Sequence, residues 1–223
     1  MWSPLVAALD RLSPFWEPQL VVAVALALDL ALPNKVTVGP SWLLPAVEGG
    51  LLVALVIASP HPTARHSMLR RYVAVGLIGL VSAVNAISLA LLSHLLVAGH
   101  AENGRRLILA GVVLWGTNVL LFGLWYFEID RGGPAARLRG EERYPDFLFV
   151  QMTDPVACHA PPDWSPRLID YLYTSFTNAT AFSPTDTMPL TAQAKWLMSA
   201  QALAALVTVG LVVARAVNIL QVG

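Results

Sequence analysis

Long apolar runs separated by short polar or Pro- and Gly-containing breaks dominate the chain, and five of them approach membrane-crossing length. A spanning helix needs about 20 mostly apolar residues, because the hydrocarbon layer is roughly 30 Å thick and each helical residue advances about 1.5 Å. The runs are Pro18–Leu32, Ser41–Ser59, Tyr72–Ala98, Arg106–Phe127 and Ala194–Leu220. The first is short and stops at Pro33-Asn34, and the second contains Pro45 and Gly49-Gly50. The fourth ends in Trp125-Tyr126-Phe127, an aromatic cluster suited to a membrane–water interface. This pattern predicts an all-α integral membrane protein with about five transmembrane helices.

The segment between the last two runs divides in two. Residues 128–164 are charged and rich in Gly and Pro, and belong in water or among headgroups. Residues 165–191 are semi-polar, too short and too hydroxylated to cross. Ser165 and Pro166 read as N-cap and first helical residue. The stretch PRLIDYLYTSFTNAT then predicts three to four helical turns, ending before Pro184, which disfavours a helical Ser183. A half-helix, a turn and an extended return describe a re-entrant pore helix and loop, a backbone tolerated at membrane depth only inside protein or beside water. The expected organisation is therefore an interfacial segment over 1–16, transmembrane helices over 17–105, and a pore-module-like region over 106–223. That region comprises an outer helix, the polar linker 128–164, the re-entrant loop 165–191 and an inner helix over 194–220.

Composition supports the membrane reading: 56% of residues are hydrophobic, only 13% are charged, and mean hydropathy is +0.62. Net charge is zero, which offers nucleic acid no electrostatic attraction. A single cysteine, Cys158, excludes a disulfide within the chain and a cysteine-based zinc site. Residues 1–16 lack the basic start and apolar core of a cleavable signal, and carry Trp2, Phe15 and Trp16 for an interfacial helix.

The order pore helix, turn, short strand, Asp, Pro, inner helix resembles the pore module of the potassium-channel superfamily. In that family the loop commonly reads S-F-x-T-x-T-T-V-G-Y-G-D-x-x-P-x-T. Here it runs Ser175-Phe176, then Thr180-Ala181-Phe182-Ser183-Pro184-Thr185-Asp186, then Pro189 and Thr191. Gly210 falls near the family's inner-helix glycine, and the resemblance covers about Ile169–Leu220. It implies a homotetramer in the bilayer with a pore lined by Thr180–Asp186 and a hinge at Gly210. The filter itself departs from the family. A potassium filter replaces the ion's hydration shell with backbone carbonyls, which requires left-handed φ that glycine takes freely. Ser183 and Thr185 occupy the two glycine positions, Pro184 the aromatic position, and Ala181 removes the innermost hydroxyl. No four-site potassium ladder is expected. Hydroxyls of Thr180, Ser183 and Thr185 with a ring of Asp186 would instead line a wider path for hydrated monovalent cations. Phe182 reads as a plug or packing residue, and Asp186 either as a pore-mouth charge or as a cap in a tight turn.

The resulting expectation is a multi-pass channel or channel-like protein of a prokaryotic cytoplasmic membrane, not selective for potassium. The alternative is a non-conducting scaffold or sensor that keeps the pore-module fold. No cofactor is expected, and no nucleophile–base pair, phosphate loop or metal-ligand spacing points to an enzyme. His61 with His66 and Cys158 with His159 read as loop residues, and the Asn178 sequon is discounted. Glu48, Asp29, Asn85 and Asn118 lie inside apolar runs and are candidates for intramembrane function, since polar groups there are costly. Asp29 also reads as reaching the interface, and the two asparagines as interhelical hydrogen-bonding groups. EIDRGGP (Glu128–Pro134) reads as a turn fixing the helix exit, or as charges that pair with a neighbouring subunit. The family's orientation and the positive-inside rule oppose each other, because Arg65, Arg70, Arg71, Arg131, Arg137, Arg139 and Arg143 gather on the loop side.

Overall fold

A computed structural model describes residues 17–28, 49, 64–97, 104–138, 144–153, 164–180 and 186–222. Helix α1 spans Glu17–Leu28. Helices α2 (Ala64–Val97) and α3 (Gly104–Ile129) follow, with 34 and 26 residues. A 3₁₀ turn at Asp130–Gly132 leads into the short α4 (Pro134–Leu138) and strand β1 (Phe147–Leu148). Helix α5 (Leu168–Thr180), strand β2 (Met188–Pro189) and helix α6 (Ala192–Val222) complete the order. The two-residue strands pair antiparallel, Phe147 opposite Pro189 and Leu148 opposite Met188, and leave the class all-α.

Among the described residues three helices are long and apolar enough to cross a membrane: Arg71–Leu96, Arg106–Gly132 and Ala192–Val217. The chain is a multi-pass integral membrane protein. The expectation of about five spans with a separate pore helix is corrected. Of the run predicted at Pro18–Leu32, the described part is the helix Glu17–Leu28, about 18 Å long by helical rise, and residues 29–32 lie outside the described residues. One face of this helix serves the core, where Val22 and Leu26 are buried with Leu77, Ile78 and Val81 of α2 and Leu121 and Leu124 of α3, while Leu20 and Val24 are exposed. An apolar run reports burial, and burial against protein needs no particular length. The run at Ser41–Ser59 and the segment 1–16 lie outside the described residues, apart from Gly49. Helix α5, with 13 residues, is too short to cross and is not a separate element; it is built into the same bundle against α3 and α6.

Helix α3 is the centre of that bundle. Of its spanning window 56% is buried, against 33% for α2 and 17% for α6. Two glycines set how closely its neighbours approach. A Cβ at Gly111 would run into the Val212 side chain of α6. One at Gly123 would lie 2.6 Å from the Leu172 side chain of α5 and 3.1 Å from its Cα. Only hydrogen fits there, so α5 seats directly on the backbone of α3.

The end of α3 is a chain reversal through three left-handed residues, Arg131 (φ 52°), Gly132 (78°) and Gly133 (92°). Two glycines after the arginine make this turn affordable. Arg137 then folds back and donates to the carbonyls of Phe127 at 2.9 Å and Asp130 at 2.7 Å, satisfying acceptors that a helix end leaves open. Its guanidinium also lies 4.6 Å from the centre of the Phe127 ring.

Candidate functional site

The distinctive local feature is a helix that enters the bundle and a chain that comes straight back. The first turn of α5 is closed by Asp170, whose carboxylate accepts the Arg167 N–H at 2.7 Å. The helix begins at Leu168, past the cap expected at Ser165. The hydroxyls of Thr174 and Thr187 lie 3.2 Å apart, so by Thr187 the chain has climbed back to the middle of α5. Strand β2 then docks on β1, with the Leu190 N–H donating to the Asp146 carbonyl at 2.8 Å.

Two polar networks hold this hairpin. The deeper one joins α3, α5 and α6. The Gln201 amide donates to the Ser175 carbonyl at 2.9 Å and to its hydroxyl at 2.6 Å. The Gln201 carbonyl accepts from the Tyr126 hydroxyl at 2.5 Å and from the Asn178 amide at 2.9 Å. Asn178 also donates to the Met198 carbonyl at 2.9 Å, and the Ser175 hydroxyl donates to the Val119 carbonyl at 2.6 Å. Gln201 and Ser175 are fully buried, and both ends of the Gln201 amide are occupied. A buried network with its members paired specifies one arrangement of the three helices.

The second network sits where α3 ends. Asp130 is fully buried and accepts from the Tyr171 hydroxyl at 2.5 Å and from the Asp146 N–H at 2.8 Å. Asp146 accepts from the Arg131 N–H at 3.1 Å and from the Thr191 hydroxyl at 2.6 Å. Thr191 in turn accepts from the Ala194 N–H at 3.3 Å, capping α6. The chain α3–Asp130–Asp146–Thr191–α6 thereby ties α3 and α6 together at one end. Burial pushes the Tyr171 phenol well above its ordinary range; the Arg137 guanidinium opposes this and the Asp130 carboxylate adds to it. The phenol stays protonated and donates. Phe127, Phe147 and Phe149 pack their rings around Tyr171.

Of the residues singled out in the sequence, Thr180 is the last of α5, half-buried, its hydroxyl donating to the Thr177 carbonyl at 3.0 Å. Asp186 is exposed at the start of the return. Ala181, Phe182, Ser183, Pro184 and Thr185 lie outside the described residues, as do Asp29 and Glu48. Helix α6 runs unbroken through Gly210, beside which a Cβ would meet nothing within 4 Å. Asn85 of α2 and Asn118 of α3 are both buried, and the Asn85 amide donates to the Leu114 carbonyl of α3 at 3.4 Å. Asp130 of EIDRGGP meets Tyr171 of its own chain. Among the described residues no three His, Cys, Asp or Glu side chains converge.

Sequence reasoning missed Gln201, Ser175, Tyr126, Tyr171 and Asp146 as network members. One signal was available: Gln201 is an amide inside the last long apolar run. No protein family, curated protein or solved structure matches the chain.

Proposed function

We propose that this membrane protein is a subunit of a pore-loop ion channel, conducting monovalent cations without potassium selectivity. The observation that carries the reading is the return of the chain to Thr174 by Thr187, on a short helix clamped between two membrane-length helices. A helix that ends inside a bundle directs its carbonyl end, the negative pole of its dipole, toward the following turn. Such an end needs water or protein around it at membrane depth. Four copies about a common axis would supply both, with Thr180 and Asp186 near a central path. The exposed faces of α5 (Ile169, Tyr173, Phe176) and α6 (Leu203, Leu206, Val213) are then the surfaces between subunits. Ser183, Pro184 and Thr185 are unsuited to a ladder of inward carbonyls, which argues for side-chain hydroxyls and Asp186 as ion contacts.

The test is flux through purified protein in liposomes, with potassium, sodium and choline compared. Potassium and sodium should pass at similar rates and choline poorly, and Asp186→Asn should reduce cation flux several-fold. A folded, fourfold assembly with no flux above empty liposomes at any voltage or pH overturns conduction and leaves a non-conducting scaffold.

A further inference from the structure

Helix α3 turns a second polar surface toward α2, away from the hairpin. Leu114, Asn118 and Trp125 lie along one stripe of α3. The Leu114 carbonyl accepts from Asn85, and the Trp125 indole donates to the Ser82 hydroxyl at 3.0 Å. Asn118 falls between these two contacts, four residues after Leu114, and so faces α2. On α2, Ser88 falls between Asn85 and Leu92, whose side chain lies 3.7 Å from a Cβ built at Gly111 of α3. Ser88 therefore faces α3. Thr117 adjoins Asn118, one turn beyond Leu114.

Ser88 and Thr117 are 0% exposed and Asn118 is 7% exposed. The Ser88 hydroxyl, the Thr117 hydroxyl and the Asn118 carbonyl oxygen are buried and make no hydrogen bond within the protein. Elsewhere, helical hydroxyls in this chain fold back on their own helix: Ser93 to Leu89, Thr174 to Asp170, Thr177 to Tyr173 and Thr208 to Ala204. Ser88 and Thr117 have the same option and do not take it. A buried polar group left unpaired is costly, and three of them on the neighbouring helices α2 and α3 ask for a common explanation.

We propose that the α2–α3 contact is a water-binding site, in which Ser88, Thr117 and Asn118 hold ordered water inside the membrane domain. Two hydroxyls donate to it and one amide oxygen accepts from it, close to the about three hydrogen bonds typical of a buried water. The three groups carry no charge. A divalent cation would demand carboxylates, whereas water uses both donors and acceptors. The inference is independent of conduction, because it concerns the face of α3 opposite the one that seats α5.

Near-isosteric substitution gives a sign test by melting temperature in detergent. Removing a hydroxyl that bonds to water should lower Tm, so Thr117→Val and Ser88→Ala should each cost roughly 2–4 °C. The double variant should cost clearly less than the sum, because both share one bound cluster. A rise in Tm for Thr117→Val would mean a dry, unsatisfied hydroxyl and would overturn the site, as would strict additivity. Replacing sodium by choline should leave the wild-type Tm unchanged; a sodium-dependent Tm abolished by Thr117→Val would assign a cation instead. Radiolytic hydroxyl-radical footprinting of the intact protein gives a second readout that needs no variant. Leu114, 1% exposed, should be oxidised faster than the equally buried Leu77 of the main core. Equal protection of the two leucines would overturn the proposal.

Discussion

Tyr171 donates its phenolic hydrogen to Asp130 at 2.5 Å, and both residues are fully buried. This bond joins the short helix α5 to the end of α3 across 41 residues of sequence. Asp130 also accepts two backbone N–H groups, from Asp146 and Phe147, so one carboxylate organises the helix exit, the strand and α5 together. A buried carboxylate is tolerable only when its oxygens are so occupied.

Tyr171→Phe keeps the ring contacts with Phe127, Phe147 and Phe149 but leaves an Asp130 oxygen without its donor. The expected loss is about 1.5–3 kcal/mol, the range for a hydrogen bond to a charged group. Thermal unfolding in detergent should show it as a fall in Tm, at roughly 2–4 °C per kcal/mol for a chain of this size.

The same phenol sets an alkaline limit. Its folded value lies above the ordinary 10.0, so the unfolded state loses this proton first as pH rises. The native contribution is complete below pH about 10 and is lost as pH climbs from there toward the folded value. The difference in Tm between wild type and Tyr171→Phe should therefore be constant below pH about 10 and shrink as pH rises above it. A difference that stays constant would separate Tyr171 from the alkaline transition.

Gln201→Leu preserves bulk in α6 and strips partners from Tyr126, Asn178 and Ser175. About 1–3 kcal/mol should be lost, because polar groups are left without partners at membrane depth. A double-mutant cycle with Asn178→Ala should give a coupling of at least about 0.5 kcal/mol, as expected of residues in one network.

Two glycine substitutions should move stability in opposite directions. Gly123→Ala forces a Cβ to within 2.6 Å of the Leu172 side chain and 3.1 Å of its Cα, and should cost about 1–3 kcal/mol by overpacking. Gly76→Ala meets nothing within 4 Å and should gain up to about 1 kcal/mol from helix propensity. If α5 bears the conduction path, Gly123→Ala should also alter flux, while Gly76→Ala should not.

Several elements were legible in the chain alone. The runs near Tyr72, Arg106 and Ala194 predicted the three membrane-length helices to within a few residues, and the half-polar stretch before Pro184 predicted α5. Its start was misplaced: the helix begins at Leu168, with Asp170 of the first turn accepting the Arg167 N–H, rather than at Ser165-Pro166. Among the described residues three helices, not about five, are long and apolar enough to cross, and an apolar run reads the same whether lipid or protein covers it. Val22 and Leu26 show that α1 is covered by α2 and α3.

Local sequence determined what depends on neighbours a few residues apart: the membrane class, the long helices, the half-length helix with its return, and the Gly132-Gly133 turn. Tertiary structure alone decided which polar groups meet. Gln201 finds Ser175 across 26 residues, and Tyr171 finds Asp130 across 41. No periodicity encodes such pairs. They arise because α5 lies against the bare backbone of Gly123, which brings the side chains of three helices within hydrogen-bonding distance where water cannot compete.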